Sequence, residues 1–242
     1  MSRLVILHTN DMHNVLARDE QRAARLMEIV EAERANPPVL LLDAGDAIGA
    51  GNLTFNPAGE AILERMTTIG YHAMTIGNRE FHLMAAGFAA KTRGAPCPLL
   101  CANLRPKSPD VPIPVQPVWR TEHRGVRVAV LGLTVPMITP RMKVAALSAY
   151  LFDPPLETAR LWVQRLRLEA DLLIALTHLG IQHDRLLAEA CPELDVILGG
   201  HSHTPTETPE QVGGVWLSHA PPFCKGATLL TLTRRNDRWE LE

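Results

Sequence analysis

Short apolar runs alternate along this chain with longer segments whose apolar positions recur every three or four residues. The runs have the length of buried strands, and the longer segments have the spacing of amphipathic helices. Five of the runs are Leu4–Leu7, Val39–Leu42, Met74–Ile76, Leu172–Leu176 and Val196–Leu198. This alternation predicts an α/β fold with strands brought together in sheets.

Helices are predicted over Asp19–Arg34, Ala58–Ile69, His82–Lys91, Pro155–Glu169 and Gln182–Ala190. The first is expected to end before Pro37 and Pro38, because proline cannot continue a helix. In the fourth helix, Leu161 and Leu166 are predicted to face inward.

Further strands are predicted over Tyr71–Ile76, Leu99–Cys101, Val118–Thr121, Val126–Leu133, Val215–Ser218, Ala227–Thr233 and Arg238–Leu241. The segment Asn103–Pro117 holds five prolines without periodicity. Proline removes backbone donors and fixes the chain, so an irregular surface excursion is expected there.

Composition narrows the function classes. Of 242 residues, 46% are hydrophobic and 21% are charged, which suits a chain with a substantial core. A net charge of −2 gives no basic face for nucleic acid, and no apolar run is long enough to span a membrane. The first strand begins at Arg3, and four cysteines lack metal-finger spacing, so a cytoplasmic protein with reduced thiols is expected. The sequence does not predict the oligomeric state.

Polar motifs follow the five apolar runs in a fixed order. They are Asp11-Met12-His13, Gly45-Asp46, Gly77-Asn78-Arg79-Glu80 (the third motif), Thr177-His178 and Gly200-His201-Ser202-His203. Side chains that leave the ends of neighbouring strands converge in one crevice, so these motifs are expected to share one site.

Seven side chains in these motifs are candidate metal ligands: Asp11, His13, Asp46, Asn78, His178, His201 and His203. In extended backbone, residues two apart project the same way, which would direct both members of each Asp-x-His or His-x-His pair to one site. Oxygen and imidazole ligands without thiolate suit two divalent cations, with Mn, Fe or Zn favoured over Mg. Such a pair typically lies about 3.5–4 Å apart and activates a water molecule.

The segments Ile6–His13, Leu42–Asp46, Thr75–Asn78 and Gly199–Thr204 resemble those of the calcineurin-like metallophosphoesterases. Within that family they are similar to the catalytic domain of the 5′-nucleotidase branch. The resemblance implies a four-layer αββα sandwich, in which two mixed β-sheets are flanked by helices. It also implies a first metal held by Asp11, His13, Asp46 and His203. A second metal would be held by Asp46, Asn78, His178 and His201. A bridging hydroxide would then attack phosphorus.

The third motif departs from the family pattern, because Arg79 stands where a histidine is usual and His82 stands where an acid is usual. Guanidinium cannot donate a proton at neutral pH, but it binds phosphate oxygens in a bidentate fork. We therefore expect Arg79 to grip the phosphoryl group, with His82 as general acid three residues further on. The alternative is that Arg79 forms a structural ion pair and His82 is a surface histidine.

Relatives of this branch usually carry a further C-terminal domain that recognises the nucleobase. The chain ends soon after Trp239, so residues 1–242 are expected to form a single catalytic domain without that specificity domain. The loops Gly49–Phe55, Pro136–Lys143 and His219–Lys225 are candidates for shaping the substrate pocket. The role of His219 itself is left open.

The sequence therefore predicts a dimetal phosphoesterase that hydrolyses a phosphomonoester of a nucleotide or another small phosphorylated metabolite. A phosphodiesterase of the same fold is the nearest enzymatic alternative. A binding module that keeps its metals but lacks turnover is the alternative outside enzymes, because the usual catalytic histidine is replaced by Arg79.

Overall fold

The computed structural model describes residues 2–34, 39–236 and 238–242. Pro37 and Pro38, which were expected beyond the first helix, lie outside the described residues. The five helices are α1 Glu20–Arg34, α2 Ala61–Ile69, α3 Ala85–Thr92, α4 Pro155–Glu169 and α5 Ile181–Ala190. No helix among the described residues combines the length and the apolar character needed to cross a bilayer.

The strands are β1 Arg3–Thr9, β2 Val39–Asp43, β3 Ala73–Thr75, β4 Leu99–Leu100, β5 Leu104–Pro106, β6 Val118–His123, β7 Val126–Thr134, β8 Tyr150–Phe152, β9 Leu172–His178, β10 Val196–Gly199, β11 Glu210–Val212, β12 Val215–His219, β13 Thr228–Arg235 and β14 Arg238–Leu241. One six-stranded sheet has the order β14-β13-β1-β2-β3-β4, and the other has the order β11-β12-β10-β9-β7-β6. Parallel and antiparallel pairs occur in both, so both sheets are mixed.

Three apolar layers hold the sheets and helices together. Alternate residues of β1, such as Leu4 and Ile6, pack with Ile174 and Leu176 of β9 between the two sheets. Helices α1, α2 and α3 cover the outer face of the first sheet, and α4 and α5 cover the outer face of the second. The predicted αββα sandwich is confirmed.

Several predictions about local structure were wrong. The segment Asn103–Pro117 is not wholly irregular, because β5 pairs with β8 and Asn103 is fully buried. In α4, Leu161 is 77% exposed. The buried stripe of that helix is Ala159, Val163 and Leu166, and a residue two positions from Ala159 and Val163 lies on the opposite side.

The predicted helix over His82–Lys91 begins later, at Ala85. Met84 before it is extended, with φ −95° and ψ 138°. His82 therefore does not lie on a helical turn with Arg79, and the helical-spacing argument for placing the two side chains together was wrong.

The turns after β2 and β3 touch at Gly45 and Gly77. Gly45 has φ +89°, and a Cβ atom added to it would lie 2.6 Å from the backbone nitrogen of Gly77. Glycine is therefore required at position 45 both by backbone conformation and by close approach.

We predict that Gly45→Ala lowers the free energy of unfolding by about 3–5 kcal/mol, because steric overlap adds to left-handed strain. Gly94→Ala is the matched control, since Gly94 also has positive φ (+75°) but open space around its Cβ position. Gly94→Ala should lower the free energy of unfolding by only about 1–2 kcal/mol. Urea unfolding of both variants measures the difference, and equal losses would contradict the packing argument.

Candidate metal centre

The seven candidate ligands converge at the carboxyl ends of five strands, β1, β2, β3, β9 and β10. The first group is Asp11, His13 and His203. The two imidazole Nε2 atoms lie 3.0 Å apart. Asp11 Oδ1 lies 3.3 Å from His203 Nε2 and 3.9 Å from His13 Nε2.

The second group surrounds His178 Nε2. This atom lies 3.4 Å from Asp46 Oδ1, 3.3 Å from Asn78 Oδ1 and 3.2 Å from His201 Nδ1. His201 Nδ1 is also 3.1 Å from Asn78 Oδ1. Ligand atoms of Asp11, Asp46 and His178 lie within 4.8 Å of one another, so the two groups form one continuous centre.

The backbone reaches this geometry through left-handed conformations rather than extended ones. Positive φ angles occur at five candidate ligands: Asp11 (50°), His13 (48°), Asp46 (56°), His201 (80°) and His203 (53°). Such conformations cost about 1–3 kcal/mol each in residues other than glycine and concentrate at functional sites. The expectation that the Asp-x-His and His-x-His pairs are extended was wrong, although each pair does reach the centre.

A buried carboxylate behind the centre holds the strained turns in place. Glu80 accepts backbone N–H groups from Asp46 (2.9 Å), Ile48 (3.1 Å) and Gly77 (2.7 Å). It thereby joins the turn that carries Asp46 to the third motif. Sequence reasoning gave Glu80 no role. The feature that could have indicated its role is the position of an acidic residue within a motif of candidate ligands.

The donor set fits bound cations. Uncharged imidazoles cannot direct two unprotonated nitrogens at each other without repulsion, so the 3.0 Å and 3.2 Å nitrogen pairs call for a proton or a cation between them. Asp11 Oδ1 is buried and has no hydrogen-bond partner among the residues that the structure describes. His178 Nδ1 lies 2.8 Å from the Ala44 carbonyl oxygen, and donation there leaves the Nε2 lone pair for a metal.

The electrostatics point the same way. Burial lowers the pKa of His178, but the hydrogen bond and charge of Asp46 outweigh burial and raise it to about 9. Burial raises the pKa of Asp43 well above its ordinary value and raises that of Glu80, which also lies beside Asp46. The raised pKa of His178 shows that Asp46 and Asp11 create a negative potential at its ring, which attracts a proton or a cation.

Arg79 lies at the rim of the centre, with its side chain about one-third exposed. Its Nε lies 3.6 Å from Asp46 Oδ2, its Nη1 donates to the Gly49 carbonyl at 3.2 Å, and its backbone N–H donates to Asp46 Oδ1 at 2.8 Å. The guanidinium therefore borders Asp46 and also reaches solvent.

His82 is buried behind the rim. Its Nδ1 accepts the backbone N–H of Met84 at 3.0 Å, and its ring meets Phe55 edge-on at 5.3 Å between centroids. Nδ1 also lies 3.3 Å from the Met84 carbonyl oxygen, and the shorter contact with the N–H favours a neutral His82 that carries its proton on Nε2. The structure describes no hydrogen bond between His82 and the seven candidate ligands.

His219, left open by the sequence, bonds Asp184 of α5 through Nε2 at 2.7 Å. Both side chains are buried. Nearby on the same loop, Phe223 packs against the rings of His13 and His203 at 5.1 Å and 5.0 Å between centroids. The loop from His219 to Lys225 therefore supports the first group of ligands through Phe223.

Comparison with known proteins agrees with this geometry. The family model for calcineurin-like phosphoesterases matches residues 4–205. The chain is 31% identical to the human 5′-nucleotidase over 226 residues, which cover 83% of this chain and 38% of that protein. It is 29% identical to an uncharacterized metallophosphoesterase of Bacillus subtilis over 232 residues, 91% of this chain and 48% of the other.

Among solved structures, a 5′-nucleotidase precursor from Thermus thermophilus superimposes with a TM-score of 0.79 at 28% identity. The match covers 100% of this chain and 53% of that one, so the chain spans about half or less of these relatives. The resemblance identified from the motifs is confirmed, and the chain belongs to the calcineurin-like phosphoesterase family.

Proposed function

We propose that this protein hydrolyses phosphomonoesters of nucleotides or other small phosphorylated metabolites with two divalent cations. The observation that carries the proposal is the continuous cluster of seven candidate ligands, in which potential ligand atoms of Asp11, Asp46 and His178 lie within 4.8 Å of one another. The 5′-nucleotidases among its relatives support a nucleotide as one substrate class.

One cation would be held by Asp11, His13 and His203, and the other by Asn78, His178 and His201, with Asp46 shared between them. When bound, such ions supply a nucleophile by lowering the pKa of a water molecule and neutralise charge on phosphoryl oxygens. Imidazole-rich sites favour Mn, Fe or Zn over Mg.

We propose that Arg79 binds the phosphoryl group. Its side chain is partly exposed at the rim of the centre, and a guanidinium stays charged throughout the accessible pH range. A planar fork can contact two phosphate oxygens and stabilise charge that grows on them during transfer. The competing interpretation is that Arg79 forms only a structural ion pair with Asp46, and it rests on the 3.6 Å contact between Arg79 Nε and Asp46 Oδ2.

His82 is the proposed proton donor to the leaving group, and Nε2 is the atom that would give the proton. The Met84 N–H donates to Nδ1, which favours the tautomer with the proton on Nε2, and the Phe55 ring packs edge-on against the imidazole. The side chain thus combines a defined orientation with a position beside the third motif.

We predict that the protein releases phosphate from an aryl phosphate only with metal, losing activity with a chelator and regaining it with Mn²⁺, Fe²⁺ or Zn²⁺. Asp46→Asn should lower kcat/KM by about a thousandfold or more. Asp153→Asn, which alters an exposed carboxylate paired with Arg105, is the matched control and should retain activity. Full metal occupancy without turnover of any phosphoester would favour the binding module.

For Arg79, we predict that Arg79→Ala lowers kcat/KM by about 100–1000-fold, as expected for loss of one donor to transition-state charge. Arg79→Lys should recover part of the loss, because it restores charge without the fork. If Arg79 served only as a partner of Asp46, Arg79→Ala would instead weaken metal binding and stability while KM stayed unchanged.

A general acid must carry its proton, so loss of His82 should alter the alkaline limb of the kcat–pH profile. We predict this for His82→Asn, whose side-chain oxygen can still accept the Met84 N–H. The urea midpoint of this variant should stay close to the wild-type value. A wild-type pH profile in His82→Asn would assign His82 a purely structural role.

A further inference from the structure

Residues 49–55 form a loop, here called the 49–55 loop, beside the third motif. The loop makes four contacts, with the third motif, with His82 and with α3. The contacts are Arg79 Nη1 to the Gly49 carbonyl, Lys91 Nζ to the Gly51 carbonyl, Asn78 Nδ2 to Asn52 Oδ1, and the Phe55 ring to the His82 ring. The loop therefore borders a candidate metal ligand and both residues proposed to act on the phosphate ester.

Lys91 is the internal anchor of this loop. It is fully buried, and its ammonium donates to three backbone carbonyls, those of Gly51 (2.8 Å), Arg79 (2.6 Å) and Phe81 (3.0 Å). These bonds use all three ammonium donors. A buried cation is costly unless its hydrogen bonds are complete, so this lysine joins the loop to the third motif in one defined arrangement.

A local turn adds to the order of the loop. The Gly51 backbone N–H donates to Thr54 Oγ1 at 3.1 Å, and the Thr54 N–H donates to the Gly51 carbonyl at 3.2 Å. These two bonds close a turn around Asn52 and Leu53, both of which are exposed.

Leu53 and Phe55 are the exposed apolar side chains of the loop, and they alternate with the polar Asn52 and Thr54. Leu53 is 74% exposed and Phe55 is 41% exposed. An ordered loop that holds a leucine in water next to a polar centre exposes apolar surface that a bound molecule can cover. A phosphate ester seated at the centre would carry its organic group to the rim, and Asn52, the neighbour of Leu53, contacts the candidate ligand Asn78 of that centre at 3.3 Å.

We propose that the 49–55 loop is the wall of the leaving-group site and that Leu53 contacts the organic part of the substrate. The preferred substrates are then phosphate esters whose organic group offers apolar or aromatic surface close to the phosphate, such as aryl esters, rather than esters of small polyols. This inference rests on the proposed function of the same centre.

Binding of two non-hydrolysable probes to the metal-loaded protein tests the proposal without relying on turnover. Phenylphosphonate carries an aromatic group and methylphosphonate does not. We expect wild-type protein to prefer phenylphosphonate, and Leu53→Ser to weaken its binding about tenfold, the scale of one lost apolar contact. Methylphosphonate binding should change less than twofold. Isothermal titration calorimetry measures both.

Leu161→Ser is the matched control, because Leu161 is similarly exposed but lies on α4 in the outer layer. It should leave both affinities unchanged. If Leu53→Ser changed neither affinity, or changed both equally, the claim that the 49–55 loop lines the leaving-group site would be wrong. The proposed metal centre would be unaffected by that result. If neither probe bound to wild-type protein, the proposed function would fail together with this inference.

Lys91→Met gives a second test, because it keeps the length of the side chain and removes the three donors. We expect it to reduce the preference for phenylphosphonate as Leu53→Ser does. In the Lys91→Met background, Leu53→Ser should add less than a twofold effect, since the loop would already be displaced. Independent, multiplying effects would show that Lys91 does not position the loop.

Discussion

The main constraint on this structure is that its candidate ligand atoms lie close together and would repel one another without positive charge between them. Two pairs of imidazole nitrogens face each other at 3.0 Å and 3.2 Å, and within the described part of the chain a buried Asp11 oxygen has no hydrogen-bond partner. Each facing pair calls for a proton or a cation between its two nitrogens. A divalent cation accepts several lone pairs simultaneously, so it can bind these imidazoles and the carboxylate oxygen together.

The strands and turns around the centre keep the candidate ligand atoms close together despite their mutual repulsion. Parallel strands from two sheets end at one crevice, and strained turns carry the ligands beyond the strand ends. Glu80 fixes the turns from behind through three backbone N–H groups, and the close contact of Gly45 with Gly77 leaves no space for adjustment. Preorganisation of this kind lets metal and substrate bind without further ordering of the chain.

The sequence predicted the strands and the convergence of the motifs well, because apolar runs bounded by polar motifs are a strong signal. It predicted the conformation of the motifs poorly. The left-handed backbone at Asp11 and His201 comes from contacts across the turns, which no local pattern records. The late start of α3, with His82 as acceptor for Met84, and the three bonds of Lys91 likewise depend on tertiary packing. Leu161 shows a further limit, since hydrophobicity alone does not assign a helix face.

The central claim, two cations in one centre, is tested most directly by anomalous X-ray diffraction from crystals of the protein loaded with Mn²⁺. The account predicts two peaks, one contacting Asp11, His13 and His203 and the other contacting Asn78, His178 and His201, with Asp46 between them. A single peak, or peaks remote from these side chains at full metal loading, would contradict it.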